Sequence, residues 1–163
     1  MKRLDNQQWG FASNCFVCES TNEAGLRIPF FHDEDNKLVT AGFCLTDAFS
    51  GAPSYLHGGV ILAILDEAMA WACIALAGRF ALTEETTTRF IRPLRVGRSY
   101  RVEARVEPPG ERIAASAVIL DDRGRRRADA RATFVAMSFR QAGDALGVEP
   151  AGTDAAFVEP EPQ

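Results

Sequence analysis

Within residues 54–77, SYLHGGVILAILDEAMAWACIALA, a His-Gly-Gly turn opens an apolar stretch whose only charged side chains are Asp66 and Glu67. A helix that is apolar on every side belongs in a core, where an ionised carboxylate forfeits several kcal/mol of hydration unless something compensates it. Either acid is therefore a candidate base or nucleophile, about 100° apart around the helix, and a structural bond to a neighbouring strand is the alternative for both. The turn supplies a second reactive element. A helix amino terminus presents unpaired N–H groups and a positive dipole end, so Gly58 and Gly59 can bring bare amides against a developing oxyanion. The same glycines would also serve a tight turn. His57, just before them, can bond across such a site or hold the loop in place.

Cys15 and Cys18 form the other suggestive spacing, C-F-V-C, which suits zinc or dithiol chemistry. A structural zinc site asks for a second ligand pair, and Cys44, Cys73, His32 and His57 are scattered singly. The pair therefore reads as small buried side chains beside a turn, and no metal is expected. His32 lies in a charged turn and reads as solvated.

The 163 residues, 47% hydrophobic and 25% charged, describe a single globular domain over 1–140, with a Gly/Pro/Ala-rich acidic tail at 141–163 expected to be disordered. A net charge of −4 argues against a general nucleic-acid binder. Val60 to Leu76 is slightly short for a membrane span and has two acids at its centre, so it reads as a core helix. Met1 to Asp5 has two cations without an apolar stretch behind them, unlike a secretory signal. The expectation is a cytoplasmic protein with reduced cysteines.

The elements that must position these groups read as follows. Asp5 to Asn14 is compatible with a helix. Leu26 to Phe31 and Lys37 to Thr46 form a hairpin about a polar turn, and the loop 47–56 leads into the long helix, which stops near Gly78. Tyr100 to Val106 alternates apolar with charged residues, and Ala130, Ala132, Phe134 and Ala136 alternate likewise with Asp129, Arg131 and Thr133. Asp121 to Gly124 is a hairpin turn in which Gly124 supplies a positive φ. The class is α+β: a hairpin, a central helix, then about four antiparallel strands. One sheet covers a helix apolar all round only if it curls or a second subunit helps, so dimerisation is expected.

With its elements in this order, the chain resembles the hotdog-fold acyl-CoA thioesterases of the PaaI-like type, within the 4-hydroxybenzoyl-CoA thioesterase superfamily. The resemblance rests on Cys15-Phe16-Val17-Cys18 with Asn22 and Gly25-Leu26, on His57-Gly58-Gly59 with Asp66 nine positions after the histidine, and on Arg89-Phe90-Ile91-Arg92-Pro93 with Gly97. It implies a curled antiparallel sheet of five to six strands around the helix, a dimer or dimer of dimers, and sites that straddle the subunit interface. The implied reaction is hydrolysis of a small-molecule acyl-CoA, with no cofactor beyond that substrate. Gly58, with Gly59 as a second donor, would hold the thioester carbonyl, and Asp66 of the other subunit would direct water or attack directly. Thr83 matches a position where some relatives carry a hydroxyl that places water.

Coenzyme A carries phosphates, so a cationic rim is expected. Arg89, Arg92, Arg95 and Arg98 are candidates, as is the run Arg123, Arg125, Arg126 and Arg127. Phe49, Tyr55, Trp71 and Phe90 are candidates for an acyl pocket. One departure stands out: six residues before His57, where some relatives place an Asn on the thioester, this chain has Gly51. A non-catalytic acyl-CoA-binding protein is thus the alternative function. A hotdog hydratase is less favoured, because the H-F-P-G-type loop is missing.

Overall fold

The computed structural model describes residues 1–9, 13–107 and 112–147. Its elements are β1 (Lys2–Arg3), a 3-10 turn at Asn6–Trp9, β2 (Phe31–Asp33), β3 (Leu38–Cys44), a 3-10 turn at Asp47–Phe49, β4 (Ser50–Ala52), β5 (Tyr55–Leu56), α1 (Gly58–Ala77), β6 (Ala81–Phe90), β7 (Ser99–Val106), β8 (Arg112–Asp121), β9 (Arg126–Ala136) and α2 (Phe139–Leu146).

Alternation builds the main sheet. Val102 and Ala104 of β7, Ile113, Ala115, Ala117 and Ile119 of β8, and Ala128, Ala130, Ala132 and Phe134 of β9 all point inward and are buried. The antiparallel sheet has seven strands in the order β1-β2-β3-β7-β8-β9-β6, with β4 and β5 forming a separate hairpin. This exceeds the expected five to six, because short β1 is added at one edge. The alanines of β8 and β9 let α1 approach the sheet closely, and α1 packs on β3, β6, β7, β8 and β9. The α+β hotdog expectation holds.

α1 begins at His57, whose side chain caps it, and ends at Gly78, which takes the left-handed conformation with φ 64°. Its Ile61, Ile64, Leu65, Ala68, Met69 and Ala72 face the sheet and are buried. Leu62, Ala63, Ala70 and Ile74 on its other side are only half-buried. The burial expected on every face is therefore absent within one chain.

Three segments depart from expectation. Leu26 to Phe30 is not a strand: Leu26, Ile28 and Phe30 are buried in alternation, but the amides of Leu26 and Ile28 bond to the carbonyls of Phe16 and Val17. Arg27 lies at φ 53° and Pro29 has no N–H, so a ladder cannot run through them. In place of a helix over Asp5 to Asn14 there is the single turn Asn6–Trp9, and residues 10–12 lie outside the described set. The expected tail is ordered at its start, where α2 forms behind a capping box. There Ser138 Oγ accepts from the Gln141 amide at 3.3 Å and Gln141 Oε1 accepts from the Ser138 amide at 2.8 Å. Residues 148–163 lie outside the described set.

Candidate active site

The start of α1 is held from both sides. The His57 amide donates to the Phe49 carbonyl and the Leu56 amide to the Leu94 carbonyl, each at 2.9 Å. His57 Nδ1 accepts from the Gly59 amide at 2.8 Å, so this nitrogen carries a lone pair and a neutral ring keeps its proton on Nε2. That bond takes Gly59 out of consideration as a second oxyanion donor. It leaves the Gly58 N–H, at the first helical position, without an acceptor among the described residues.

Gly58 opens onto an apolar cleft of about 260 Å³, bounded by Tyr55, Ile61, Phe90, Ile91 and Arg92. Tyr55, Phe90 and Ile91 are exposed large hydrophobic side chains. Of the aromatic residues expected to shape an acyl pocket, Tyr55 and Phe90 therefore meet at the amide. Trp71 is buried in the core and Phe49 packs against it, so neither lines this cleft. Ile61 and Ile91 were not singled out in the sequence; their apolar character gives no signal that separates them from core.

Asp66 sits two turns further along α1, half-buried, and Thr83 Oγ1 of β6 donates to its Oδ1 at 2.8 Å. Oδ2 has no hydrogen-bond partner among the described residues. The run of β-branched residues in β6 suits a strand in any case, yet Thr83 alone among them reaches this carboxylate. Glu67 turns elsewhere, toward the amino-terminal loop, where Cys15 Sγ lies 3.4 Å from its Oε1. Burial raises the Glu67 carboxyl to about 8, and the charge on Cys15 adds to the effect.

The arginines divide. Arg89 Nε and Nη2 form a two-pronged pair with Asp129 at 2.9 and 2.8 Å, across the β6–β9 ladder. Arg89 is thereby paired, although its side chain stays 70% exposed. Arg92 lies at the mouth of the apolar cleft, and Arg95 stacks its guanidinium 5.3 Å from the Tyr55 ring centroid. Arg95, Arg98, Arg123, Arg125 and Arg127 line one open groove of about 500 Å³. Two of them are spoken for: Asp121 Oδ2 accepts from Arg125 Nε at 2.8 Å and Arg127 Nη2 at 2.7 Å. Burial opposes ionisation of Asp121, but the Arg125 amide, these two guanidiniums and the Arg123 amide together hold its carboxyl well below the usual carboxylate range.

Residues 54–128 match the model of the thioesterase superfamily, and this stretch contains the turn, Asp66, Thr83 and the arginines. The fold is a hotdog, and over those residues the chain is similar to the thioesterase superfamily. Comparison with curated proteins gives no match. Among solved structures, the hotdog chain is similar to the E. coli PaaI protein from the phenylacetic acid degradation operon. The identity is 23% and the TM-score 0.63, over 69% of this chain and 81% of that one. A thioesterase superfamily protein matches at 23% identity and TM-score 0.64, over 70% of this chain but only 56% of its own length. A Streptococcus mutans UA159 protein bound to acetyl CoA matches at 17% identity and TM-score 0.59, over 62% and 82%. At these identities the likeness establishes the fold.

The hotdog turn also accounts for Gly51. A Cβ at this position would lie 3.1 Å from His57 Cδ2 and 3.2 Å from His57 Cα, so a side chain here would require the capping histidine to give by a few tenths of an ångström. An asparagine would press against the ring that fixes the helix start.

Proposed function

We propose that the chain hydrolyses acyl-CoA thioesters to a free acid and CoA, at sites shared between two copies. The observation that carries this reading is the unpaired Gly58 amide opening onto an apolar cleft. There it can donate to a thioester carbonyl while Tyr55, Phe90 and Ile91 cover the acyl group. The match of residues 54–128 to the thioesterase superfamily supports thioesterase-like chemistry in general, and the acetyl CoA held by the S. mutans relative supports a CoA-type ligand.

Gly58 and Asp66 are eight residues apart, which on an α-helix is about 12 Å along the axis. A carbonyl bonded to one cannot reach the other within a chain. The proposed site therefore pairs Gly58 of one copy with Asp66 of a second, and the half-buried face of α1 and the exposed edge strand β6 are surfaces such a dimer would cover. Dimer and dimer of dimers both meet this requirement.

In the reaction, Asp66 takes a proton from a water that attacks the carbonyl carbon, or attacks that carbon itself to give an anhydride that water opens. Either way the oxyanion is held by the Gly58 N–H and the CoA thiolate leaves, taking up a proton. Arg92, Arg95, Arg98 and Arg123, which make no ion pair among the described residues, are the side chains available to the CoA phosphates. Trapping an anhydride under single turnover separates the two routes.

The test is thiol release from aryl, short and long acyl-CoAs by folded, size-checked wild type, Asp66→Ala and Glu67→Ala. Turnover of one acyl class, lost only with Asp66→Ala, supports the assignment. Tight acyl-CoA binding without hydrolysis would replace it with a carrier or sensor role. The localisation that goes with this reading is cytoplasmic.

A further inference from the structure

The turn bearing Cys15 and Cys18 lies against α1, and Glu67, the residue after Asp66, reaches it. One donor atom from each of these three half-buried residues lies within 4.8 Å of the other two. The 3.4 Å between Cys15 Sγ and Glu67 Oε1 is close to the edge of a tetrahedron built on zinc bond lengths, roughly 3.5 Å for S···O and 3.8 Å for S···S. A second ligand pair, sought in vain in the sequence, is not needed, because the third ligand comes from the helix.

The turn is built in advance. The Val17 amide donates to Cys15 Sγ at 3.3 Å, an arrangement that favours thiolate. Asn22 Nδ2 ties the carbonyls of Asn14 and Cys15 at 3.1 and 3.4 Å, and the Leu26 and Ile28 amides pin those of Phe16 and Val17 at 2.7 and 2.9 Å. Gly25 is required here, since a Cβ would stand 2.6 Å from the Phe16 carbonyl oxygen. Asn6 Nδ2 donates to Cys18 Sγ at 3.7 Å, a second outer partner for sulfur.

Beside Cys18 lies a void of about 20 Å³, lined also by Asn6 and Trp71. That is room for one water, which needs roughly 10–15 Å³ by this measure. Trp71 is 3% exposed and its Nε1–H is buried with no acceptor among the described residues. It stands one helical turn beyond Glu67, on the same face of α1. The cluster thus offers three ligands, with a water-sized space next to Cys18 and an idle buried donor one helical turn from Glu67.

We propose that Cys15, Cys18 and Glu67 bind a thiophilic divalent cation of the zinc class, with water as the fourth ligand. The cation ties the amino-terminal turn to α1 next to Asp66, so its role is structural. The two thiolates and the carboxylate suit a soft dication, whereas an all-oxygen site would be needed for calcium or magnesium. This assignment rests on the cysteine turn and not on the thioesterase reading.

The test uses the full chain, reduced and stripped with chelator, then titrated with Co²⁺ and afterwards with Zn²⁺. The expected result is one Co²⁺ per chain with a thiolate-to-cobalt charge-transfer band in the near ultraviolet, bleached by Zn²⁺ and absent in Cys15→Ser. Glu67→Gln should weaken the cation by at least the roughly 10- to 100-fold that loss of an outer partner costs. Should these variants fail to fold, wild type alone decides: Zn²⁺ should protect Cys15 and Cys18 from alkylation while exposed Cys44 stays reactive. Absence of the band in reduced protein, alkylation unaffected by Zn²⁺, or a Cys15–Cys18 disulfide in a chain that takes up no cation when reduced would each overturn the proposal.

Discussion

Thr83 donates its hydroxyl to Asp66 across 2.8 Å, joining the edge strand to the helix at a carboxylate whose other oxygen has no partner among the described residues. The bond orients the carboxylate, whose Oδ1 it engages. Replacing Thr83 with valine keeps the shape and removes the donor. A hydrogen bond to a charged group is worth about 1.5–3 kcal/mol, so kcat should fall about 10- to 100-fold with little change in KM. Thr83→Ser should restore most of it. Steady-state kinetics on the three proteins checks this.

Gly58→Pro is a sharper probe of the oxyanion donor than any side-chain deletion. Position 58 is the first of the helix, where proline is well accepted, and His57 before it is already extended at φ −65° and ψ 137°. The variant should keep its Tm and lose about 10²- to 10³-fold in kcat, because the ring replaces the N–H that would hold the oxyanion. Gly58→Ala should stay active, since its Cβ would meet the Phe90 ring at an ordinary 3.7–3.8 Å.

The separation of Gly58 from Asp66 along α1 makes a prediction about mixtures. Gly58→Pro and Asp66→Ala should each be inactive alone. Refolded together in equal amounts, half the dimers are hybrids with one intact site of two, so about a quarter of wild-type activity should return. A site contained in one chain would return none.

Asp121 holds the β8–β9 turn through Arg125 and Arg127, and its folded carboxyl lies below the ordinary range. A depressed folded value stabilises above the unfolded value of about 4 and is lost as the pH falls from there toward the folded value. Asp121→Asn should therefore melt lower than wild type at pH 7, and the gap in Tm should close as the pH drops below about 4. A gap that is constant with pH would leave the turn held by something other than charge.

Legibility in the sequence followed the distance over which information is carried. The bounds of α1, the alternation of β7 to β9 and the turn at Gly124, with φ 71°, are local and could be read directly. The buried pattern of Leu26, Ile28 and Phe30 was also visible. Their backbone partners in the cysteine turn were not, and those partners decide that the segment is no strand. Gly58, Asp66 and Thr83 were recognisable as types at a spacing. That His57 would occupy the Gly59 amide depends on a side-chain rotamer at the cap, and that Arg89 would be taken by Asp129 and Glu67 would meet Cys15 depends on register and on contacts between residues 40 and 52 positions apart. Helix α2 escaped because its Gly and Ala content masked a Ser-x-x-Gln cap.

Strand β6 ends the sheet with ten residues, largely exposed, of which four are threonines and three, Glu84, Glu85 and Arg89, are charged. Glu84 is clasped by Arg112 at 2.7 Å and Arg89 by Asp129, so these charges are fixed in place along the rim. A bare, greasy rim would zip indiscriminately onto any passing strand; a polar one with anchored charges admits only a chain presenting a matching row. A freshly synthesised copy is thereby shielded from promiscuous clumping while it waits for its counterpart.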